Sequence, residues 1–115
     1  MSADCLFCRI ASGEIPSDKV LENEHVVAFR DIHPQAPVHV LVIPRIHVAS
    51  LMDLGASQSG VLQHCVEAIQ EIARSLRLDA TGFRVVTNHG AEAGQSVFHL
   101  HFHVLGGRPM RWPPG

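Results

Sequence analysis

Residues 97–105 carry the pattern that most restricts how this chain can fold, because imidazoles alternate there with apolar side chains. The order is His99-Leu100-His101-Phe102-His103-Val104. Side chains on a β-strand point to opposite faces of a sheet in turn. We therefore predict a strand whose three histidines share one face, while its apolar residues pack on the other face against a helix.

The rest of the chain divides into short extended runs and one long amphipathic segment. Extended runs predict strands at residues 19–22, 25–30, 38–43, 83–87 and 97–105, the first two forming a hairpin. A short helix or turn is predicted at residues 5–10. Apolar side chains recur every three or four positions between residues 57 and 78, which predicts a long helix. This order predicts one α+β domain over residues 1–115, with a mainly antiparallel sheet and the helix on one face.

The composition argues against several classes of function. Nine Lys and Arg against eleven Asp and Glu give a formal charge of −2, so we expect no nucleic-acid partner. The apolar runs are far shorter than the roughly 20 residues of a membrane helix, so we expect no membrane partner. Asp4 and Arg9 interrupt the N-terminal segment, which argues against a secretion signal and for a cytoplasmic location. An odd number of cysteines, three in all, argues against a disulfide framework.

Two chemistries could use three histidines on one strand face. A His-x-His pair can hold zinc with a remote third ligand, but the outer two Cα atoms lie about 13 Å apart at roughly 3.3 Å per residue, which is poor geometry for one shared ion. A neutral imidazole could instead attack phosphorus while its neighbours bind the oxygens. Backbone and side-chain donors of Gly94-Gln95-Ser96, together with His39 on another strand, favour this second chemistry because they suit an oxyanion.

The histidine segment and its flanks resemble the histidine triad (HIT) superfamily, and its Hint branch of nucleotide-binding proteins in particular. The resemblance runs from about Leu6 to Gly115. It rests on Phe29-Arg30-Asp31-Ile32, Pro34-Gln35-Ala36-Pro37, the strand from His39 to Pro44, Gly94-Gln95-Ser96-Val97, the histidine segment, Gly106-Gly107-Arg108 and Trp112-Pro113-Pro114-Gly115. It implies a HIT-like fold of five strands with one long and one short helix, in a homodimer whose joined sheet has about ten strands.

The resemblance also implies a hydrolase that cleaves the P–N bond of purine nucleoside phosphoramidates. Adenosine or guanosine 5′-phosphoramidates would be substrates, with aminoacyl or lysyl adenylates as further candidates. His101 would be the nucleophile and would form a nucleotidyl-histidine intermediate. His39 and a backbone carbonyl near His99 would hold the reactive tautomer of His101. Ser96 would pass a proton to the leaving amine.

A nucleotide site around these histidines follows from the same resemblance. Asp31 would accept hydrogen bonds from the ribose hydroxyls, and His103 and Asn88 would bind phosphate oxygens. Trp112 would approach the leaving group bound by the partner subunit. His33 replaces a small polar residue common in the branch, and we expect it to alter specificity. The other implied contacts are Leu6, Phe7, Ile10, Phe29, Ile32, Gly94, Gln95, Ser96, Val97 and His101, of which the first five would equally suit an ordinary core.

A structural zinc ion is the cofactor we expect, with no organic cofactor. Cys5 and Cys8 form a CxxC pair, which alone is half a zinc site or a redox pair. In a relative within the superfamily such a pair is completed by a histidine after the third strand and by the first histidine of the triad. His47 and His99 occupy those positions here. Two cysteines and two histidines make a closed, structural set of ligands.

Two other functions stay open. One is hydrolysis of dinucleoside polyphosphates, as in the fragile-histidine-triad branch of the superfamily. The segment Gly106-Gly107-Arg108 and the Trp-Pro-Pro-Gly ending argue against that branch. The other is a nucleotide-sensing or scaffold protein whose catalysis is incidental.

Overall fold

The computed structural model describes residues 4–115, so the first three residues of the predicted domain lie outside it. Its helices and strands, in chain order, are α1 (Leu6–Ala11), β1 (Lys19–Glu22), β2 (Val26–Arg30), β3 (Val38–Pro44), α2 (Ser59–Ser75), α3 (Leu78–Thr81), β4 (Phe83–Val86) and β5 (Phe102–Gly106). Two short 3₁₀ turns, Leu51–Asp53 and Ala56–Gln58, precede α2. Within the described part of the chain, no helix has the length and apolar character needed to cross a membrane.

The five strands form one sheet in the order β1-β2-β3-β5-β4, and all neighbouring strands are antiparallel. The predicted α+β class and antiparallel sheet are therefore confirmed. The central strand β3 lies between β2 and β5, with Leu41 directly opposite His103. This register brings His39, two residues before Leu41, to the same face of the sheet as the triad.

Both faces of the sheet are covered, and the long helix lies on one of them as predicted. On one face α2 packs its buried Cys65, Ala68, Ile69, Ile72 and Ala73 against alternate residues of β2, β3 and β5. On the other face α1 packs Phe7, Cys8, Ile10 and Ala11 against Val27, Phe29, Leu41 and Ile43. Because β2 and β3 are buried on both faces, residues 26–29 and 40–44 are continuous apolar runs. The short helix α1 is thereby placed on the face that carries the histidines.

Strand β5 begins at Phe102, five residues later than the sequence predicted. Its partner β3 ends at Pro44, which has no N–H to continue the ladder. The preceding segment is held by isolated hydrogen bonds instead: Leu100 N–H donates to Val48 O at 2.6 Å and the Thr87 hydroxyl to His101 O at 2.8 Å. The predicted alternation of faces still holds, since Leu100, Phe102 and Val104 all lie in the core beneath α2.

The long helix is also shorter than predicted. It ends at Ser75 because Arg77 adopts a left-handed conformation with φ of 61°, and α3 then starts a separate turn. Leu62 and Val66, expected on the buried face, are each 39% exposed. Phe83 and Val85 on the edge strand β4 are exposed to a similar extent, at 39% and 40%. Helix α2 and strand β4 therefore each carry two partly exposed apolar side chains.

Candidate functional site

The three triad histidines lie on the sheet face that α1 covers, as the alternation predicted. The ring centroids of His101 and His103 are 5.2 Å apart. The Phe7 ring of α1 meets the His101 ring edge-on, with 5.1 Å between the centroids. His99 is fully buried and His101 is 7% exposed. Helix α1 therefore closes one side of the histidine cluster and leaves His101 accessible from the other.

A backbone carbonyl fixes the proton of His101. Its Nδ1 lies 2.7 Å from the carbonyl oxygen of His99, which can only accept, so Nδ1 carries the proton and donates. In the neutral ring, Nε2 is then left with its lone pair. The expected carbonyl near His99 is therefore present, and it leaves His101 in the tautomer that a nucleophile requires.

His39 contacts His103, and not His101 as the sequence predicted. The Gln35 backbone N–H donates to His39 Nδ1 at 3.0 Å, so the proton of the neutral His39 ring lies on Nε2. That nitrogen is 2.8 Å from His103 Nδ1, which must accept. The proton of a neutral His103 therefore lies on Nε2. The two hydrogen bonds, from Gln35 to His39 and from His39 to His103, thus set the tautomer of the third triad histidine.

Burial keeps these imidazoles neutral. It lowers the pKa of His103 to about 4, with the adjacent His101 and His39 rings adding to the effect and Asp31 opposing it. Burial likewise lowers the pKa of His39, against the opposing charge of Asp31, whose Oδ2 lies 3.5 Å from His39 Nε2. At neutral pH the hydrogen-bonded pair is therefore uncharged, and its proton positions are those dictated by the backbone.

Asp31, His39 and His103 are close enough to be considered as metal ligands, but the hydrogen bonds disfavour that role. Their ligand atoms lie within 4.8 Å of one another. Coordination through His39 Nε2 would require the ring proton on Nδ1, where it would face the Gln35 N–H. Two donors would then oppose each other. The imidazoles are instead linked by hydrogen bonds, from the Gln35 N–H to His39 and from His39 to His103, with Asp31 beside them.

A cavity of about 720 Å³ opens beside His101 and His103. It brings together ten of the residues predicted to bind substrate: Leu6, Phe7, Ile10, Phe29, Asp31, Ile32, Ser96, Val97, His101 and His103. Phe7, Ile10 and Phe29 are also part of the core between α1 and the sheet, whereas Ile32 is 86% exposed. The Asp31 Oδ1 accepts the His33 N–H at 2.8 Å, which orients its carboxylate within the lining. These three apolar residues therefore belong to the core and line the cavity as well.

Seven further residues line the cavity. His33 was expected beside it; the other six were missed, namely Ile15, Pro16, Ser17, Asp18, Arg30 and Leu41. Residues 15–18 connect α1 to β1 without periodic patterning, so the sequence carries no signal for their position. The cavity lining therefore includes a connecting segment that the histidine motif and its flanks do not predict.

Asn88, Gly94 and Gln95 are not among the described residues that line this cavity. Gln95 is buried and uses its side chain to hold the loop before the triad. Its amide nitrogen donates to Ala49 O at 2.9 Å and to Val97 O at 3.2 Å, and its amide oxygen accepts from Gly90 N–H at 3.0 Å. Gln95 therefore positions Ser96 and Val97 at the cavity. Trp112 is 80% exposed and lies against Arg84, outside this lining.

A second cluster joins α1 to the sheet behind the triad. Cys5, Cys8, His47 and His99 place their ligand atoms within 4.8 Å of one another. The Nδ1 atom of His99 is 3.3 Å from Cys5 Sγ and 3.5 Å from Cys8 Sγ, and Cys8 Sγ is 3.4 Å from His47 Nδ1. Three of the four residues are buried and His47 is exposed. The predicted ligand set is thus assembled.

The donor set and spacing of this cluster fit a tetrahedral zinc ion. Zn–S bonds of about 2.3 Å and Zn–N bonds of about 2.0–2.1 Å imply ligand-to-ligand distances of roughly 3.3–3.8 Å. His99 Nε2 lies 2.8 Å from Pro44 O, which fixes its proton there and directs the Nδ1 lone pair to the cysteines. The Cys8 N–H donates to Cys5 Sγ at 3.3 Å, which orients that sulfur within the cluster. The ring of His99 thus faces Cys5 and Cys8, and its backbone carbonyl faces His101.

The sheet order and the histidine cluster define a small α+β protein with a cavity of the size that small ligands occupy. Comparison with known proteins places it more narrowly: the chain belongs to the HIT domain family, which matches residues 12–110. A HIT family hydrolase from Legionella pneumophila is 46% identical and superposes with a TM-score of 0.95, over 97% of this chain and 100% of that one. The fold is that of HIT family hydrolases.

Two other relatives bear on the two clusters. A 14 kDa zinc-binding protein from Brassica juncea is 43% identical over 114 residues, which are 97% of this chain and 100% of that protein. The structure of a histidine triad nucleotide-binding protein from Candida albicans is 34% identical with a TM-score of 0.82, over 96% of this chain and 83% of that one. The family to which this chain belongs therefore includes proteins named for zinc binding and for nucleotide binding.

Proposed function

We propose that this protein is a purine nucleoside phosphoramidase of the Hint type, which cleaves the P–N bond of a nucleoside 5′-phosphoramidate through a nucleotidyl-histidine. The observation that carries the proposal is the His101–His99 hydrogen bond of 2.7 Å, which leaves an imidazole lone pair at the cavity. An apolar slot, a carboxylate and imidazole donors line the same cavity. They correspond to the base, ribose and phosphate of a nucleotide.

In the first step His101 Nε2 attacks the α-phosphorus, and a new P–N bond forms as the bond to the leaving amine breaks. The His99 carbonyl accepts the Nδ1–H throughout and stabilises the positive charge that develops on the ring. Ser96, at the edge of the cavity, donates its hydroxyl proton to the departing amine nitrogen. The products of this step are the free amine and a nucleotidyl-His101.

In the second step water attacks phosphorus and gives its proton to the Ser96 oxygen that the first step left deprotonated. The P–N bond to His101 breaks, which releases the nucleoside monophosphate and neutral His101 and restores the Ser96 hydroxyl. The Nε2–H of His103 donates to a nonbridging oxygen in both steps. His39 donates to His103 Nδ1, so the His103 proton lies on Nε2. Such a preorganised donor contributes about 10²–10³-fold where negative charge develops. Asp31 accepts hydrogen bonds from the ribose hydroxyls, and its His33 contact keeps it oriented.

We further propose that Cys5, Cys8, His47 and His99 hold one structural Zn²⁺. The ion would supply four bonds that tie α1 to the sheet, and the closed ligand set leaves no position for substrate. The spacing of the four side chains and the zinc-binding relative support this assignment. A cytoplasmic location, the absence of an organic cofactor and the absence of a nucleic-acid partner stay predictions of the sequence.

A homodimer joined through β4 is the assembly we propose. Strand β4 is an edge of the sheet, and its Phe83 and Val85 are partly exposed on the sheet face that α2 covers. Helix α2 carries two more partly exposed apolar side chains, Leu62 and Val66. Pairing the two β4 edges would give a continuous sheet of about ten strands and cover this apolar surface. Arg84 of β4 donates to Arg111 O at 2.9 Å, so the C-terminal segment lies beside the strand at which the partner would join.

Sedimentation velocity at micromolar concentration is expected to give a dimer. Deletion of residues 111–115 is expected to leave the dimer and nucleotide affinity intact while changing the preference among leaving amines, because Trp112 would contact the partner's leaving group. A monomer would refute the assembly. Unchanged leaving-group preference in the truncated dimer would refute the role of the tail.

A comparison of substrates tests the proposed activity directly. Initial rates with adenosine and guanosine 5′-phosphoramidates are expected to exceed those with a dinucleoside polyphosphate by roughly a hundredfold. The reverse order would favour the fragile-histidine-triad alternative. Tight binding of nucleoside monophosphates with no turnover of either substrate class would favour a nucleotide sensor or scaffold.

A further inference from the structure

A second cavity adjoins the first at Ser96, the residue proposed to protonate the leaving amine. It is open to solvent and has a volume of about 480 Å³. Leu6, Ser96 and Val97 line both cavities, so the two meet along these side chains. The other described residues that line the second cavity are Asp4, Cys5, His47 and Phe98, and we call it the Phe98 groove.

The Phe98 groove is separate from the space of the proposed zinc ion. Cys5 and His47 belong to both the groove and the cluster, but the buried Cys8 and His99 are not among the described residues that line the groove. A zinc ion would lie among all four ligand atoms, on the inner side of Cys5 and His47. The groove therefore stays open when the cluster holds zinc.

The lining of the Phe98 groove is chiefly apolar. The ring of Phe98 is 61% exposed and the side chain of Leu6 is 44% exposed, so both can still bury apolar area against a ligand. Asp4 is exposed and, apart from the cluster residues Cys5 and His47, is the one acid or base among the described residues of the lining. An aromatic ring beside a single carboxylate suits an apolar ligand without negative charge.

The groove begins where the leaving group would depart. This placement rests on the proposed function, which puts phosphorus at His101 and the leaving nitrogen within reach of the Ser96 hydroxyl. Phosphoryl transfer holds the attacking and leaving atoms roughly in line on opposite sides of phosphorus. The nucleoside occupies the part of the first cavity lined by Phe29 and Asp31, so a substituent on the leaving nitrogen needs a different surface. The Phe98 groove is the lined surface that continues from Ser96.

We propose that the Phe98 groove binds the substituent of the leaving amine and favours an aromatic substituent without negative charge. Phe98 and Leu6 cover one side of an aryl group and lose water-exposed apolar area as it binds. Asp4 repels a carboxylate at the far end of such a group. The preferred substrates are therefore nucleoside 5′-phosphoramidates of arylalkylamines.

Three adenosine 5′-phosphoramidates that differ only in the amine test this assignment on the intact protein. The amines are phenethylamine, ethanolamine and para-carboxyphenethylamine, whose amino groups have similar basicity. All three substrates give the same nucleotidyl-histidine, so kcat/KM compares their binding and P–N cleavage alone. We expect kcat/KM for the phenethylamine substrate to exceed that for the ethanolamine substrate by about tenfold, and that for the carboxylated one by about threefold.

Variants of the groove should change the ratios between substrates. Phe98→Ala should bring the phenethylamine-to-ethanolamine ratio of kcat/KM close to one. Asp4→Asn should bring the ratio of the two aromatic substrates close to one. A loss of folded protein lowers all three rates by the same factor, so these ratios report specificity and not stability. The matched control is Met52→Ala, which truncates another exposed apolar side chain outside both described linings and should leave every ratio unchanged.

The C-terminal segment is tested separately, because Trp112 of the partner subunit is also proposed to contact the leaving group. In protein lacking residues 111–115, Phe98→Ala should still abolish the preference for phenethylamine. Its failure to do so would assign the preference to the partner's tail and overturn the inference. A wild-type ratio near one, or an unchanged ratio in Phe98→Ala, would also overturn it while leaving the phosphoramidase activity standing. No turnover of any of the three substrates would instead contradict the proposed function itself.

Discussion

Replacement of His101 by alanine is expected to lower the rate of P–N hydrolysis at least about 10³-fold, since it removes the atom that bonds to phosphorus. The affinity for a nucleoside monophosphate should stay within about tenfold, because Asp31 and the apolar slot bind the rest of the molecule. Initial rates under saturating phosphoramidate and calorimetric binding of GMP measure the two quantities separately.

The matched control is His25→Ala, which removes another imidazole. His25 stacks on His64 outside the described cavity lining, with 3.6 Å between the ring centroids, so its loss should leave the hydrolysis rate unchanged. A second variant, His101→Gly, should recover part of the activity when imidazole is added to the buffer. That recovery would show that the lost function is nucleophilic and that the variant is folded.

The covalent step has its own readout. Wild-type protein quenched during turnover and digested should yield a peptide containing His101 with a nucleotidyl group attached, detected by mass spectrometry. The His101→Ala protein should yield no such peptide. Substantial hydrolysis by His101→Ala, or a nucleotidyl group on another side chain, would refute the mechanism.

The sequence predicted the parts of this site that depend on periodicity alone. Alternation of His99, His101 and His103 with apolar residues placed all three imidazoles on one face and the apolar residues beneath α2, and both placements are confirmed. Two-residue periodicity is a property of any strand, so it needs no knowledge of neighbouring strands. The same reasoning located the strands and the long helix to within a few residues of most of their ends.

Contacts that depend on strand register could not be predicted in this way. His39 was predicted to contact His101. The pairing of Leu41 with His103 instead places His39 beside His103. A register is set by the whole sheet and its turns, and a shift of two residues preserves every side chain's face while changing its partner. The role of Gln95 could not be predicted either. A side-chain amide beside a glycine could bind phosphate, but here it is buried and holds the loop through hydrogen bonds to Gly90 N–H and Ala49 O.

Metal analysis of protein purified without chelator is expected to find about one Zn²⁺ per chain, bound by Cys5, Cys8, His47 and His99. Removal of the ion should lower the melting temperature by about 10 °C or more, because the ligands join α1 to the sheet and metal binding adds its free energy to the folded state. Turnover at moderate temperature should fall less, since the carbonyl of His99 still holds the His101 proton and Pro44 O still orients the His99 ring.

Cysteine variants separate the zinc site from general effects of removing a buried thiol. Cys8→Ser should lose the ion and melt at the temperature of the chelator-treated wild-type protein. Cys65→Ala, which truncates a fully buried cysteine on α2 remote from the cluster, should lower the melting temperature while keeping a full complement of zinc. Less than a few tenths of a zinc ion per wild-type chain, or full zinc content in Cys8→Ser, would show that these four side chains form no zinc site.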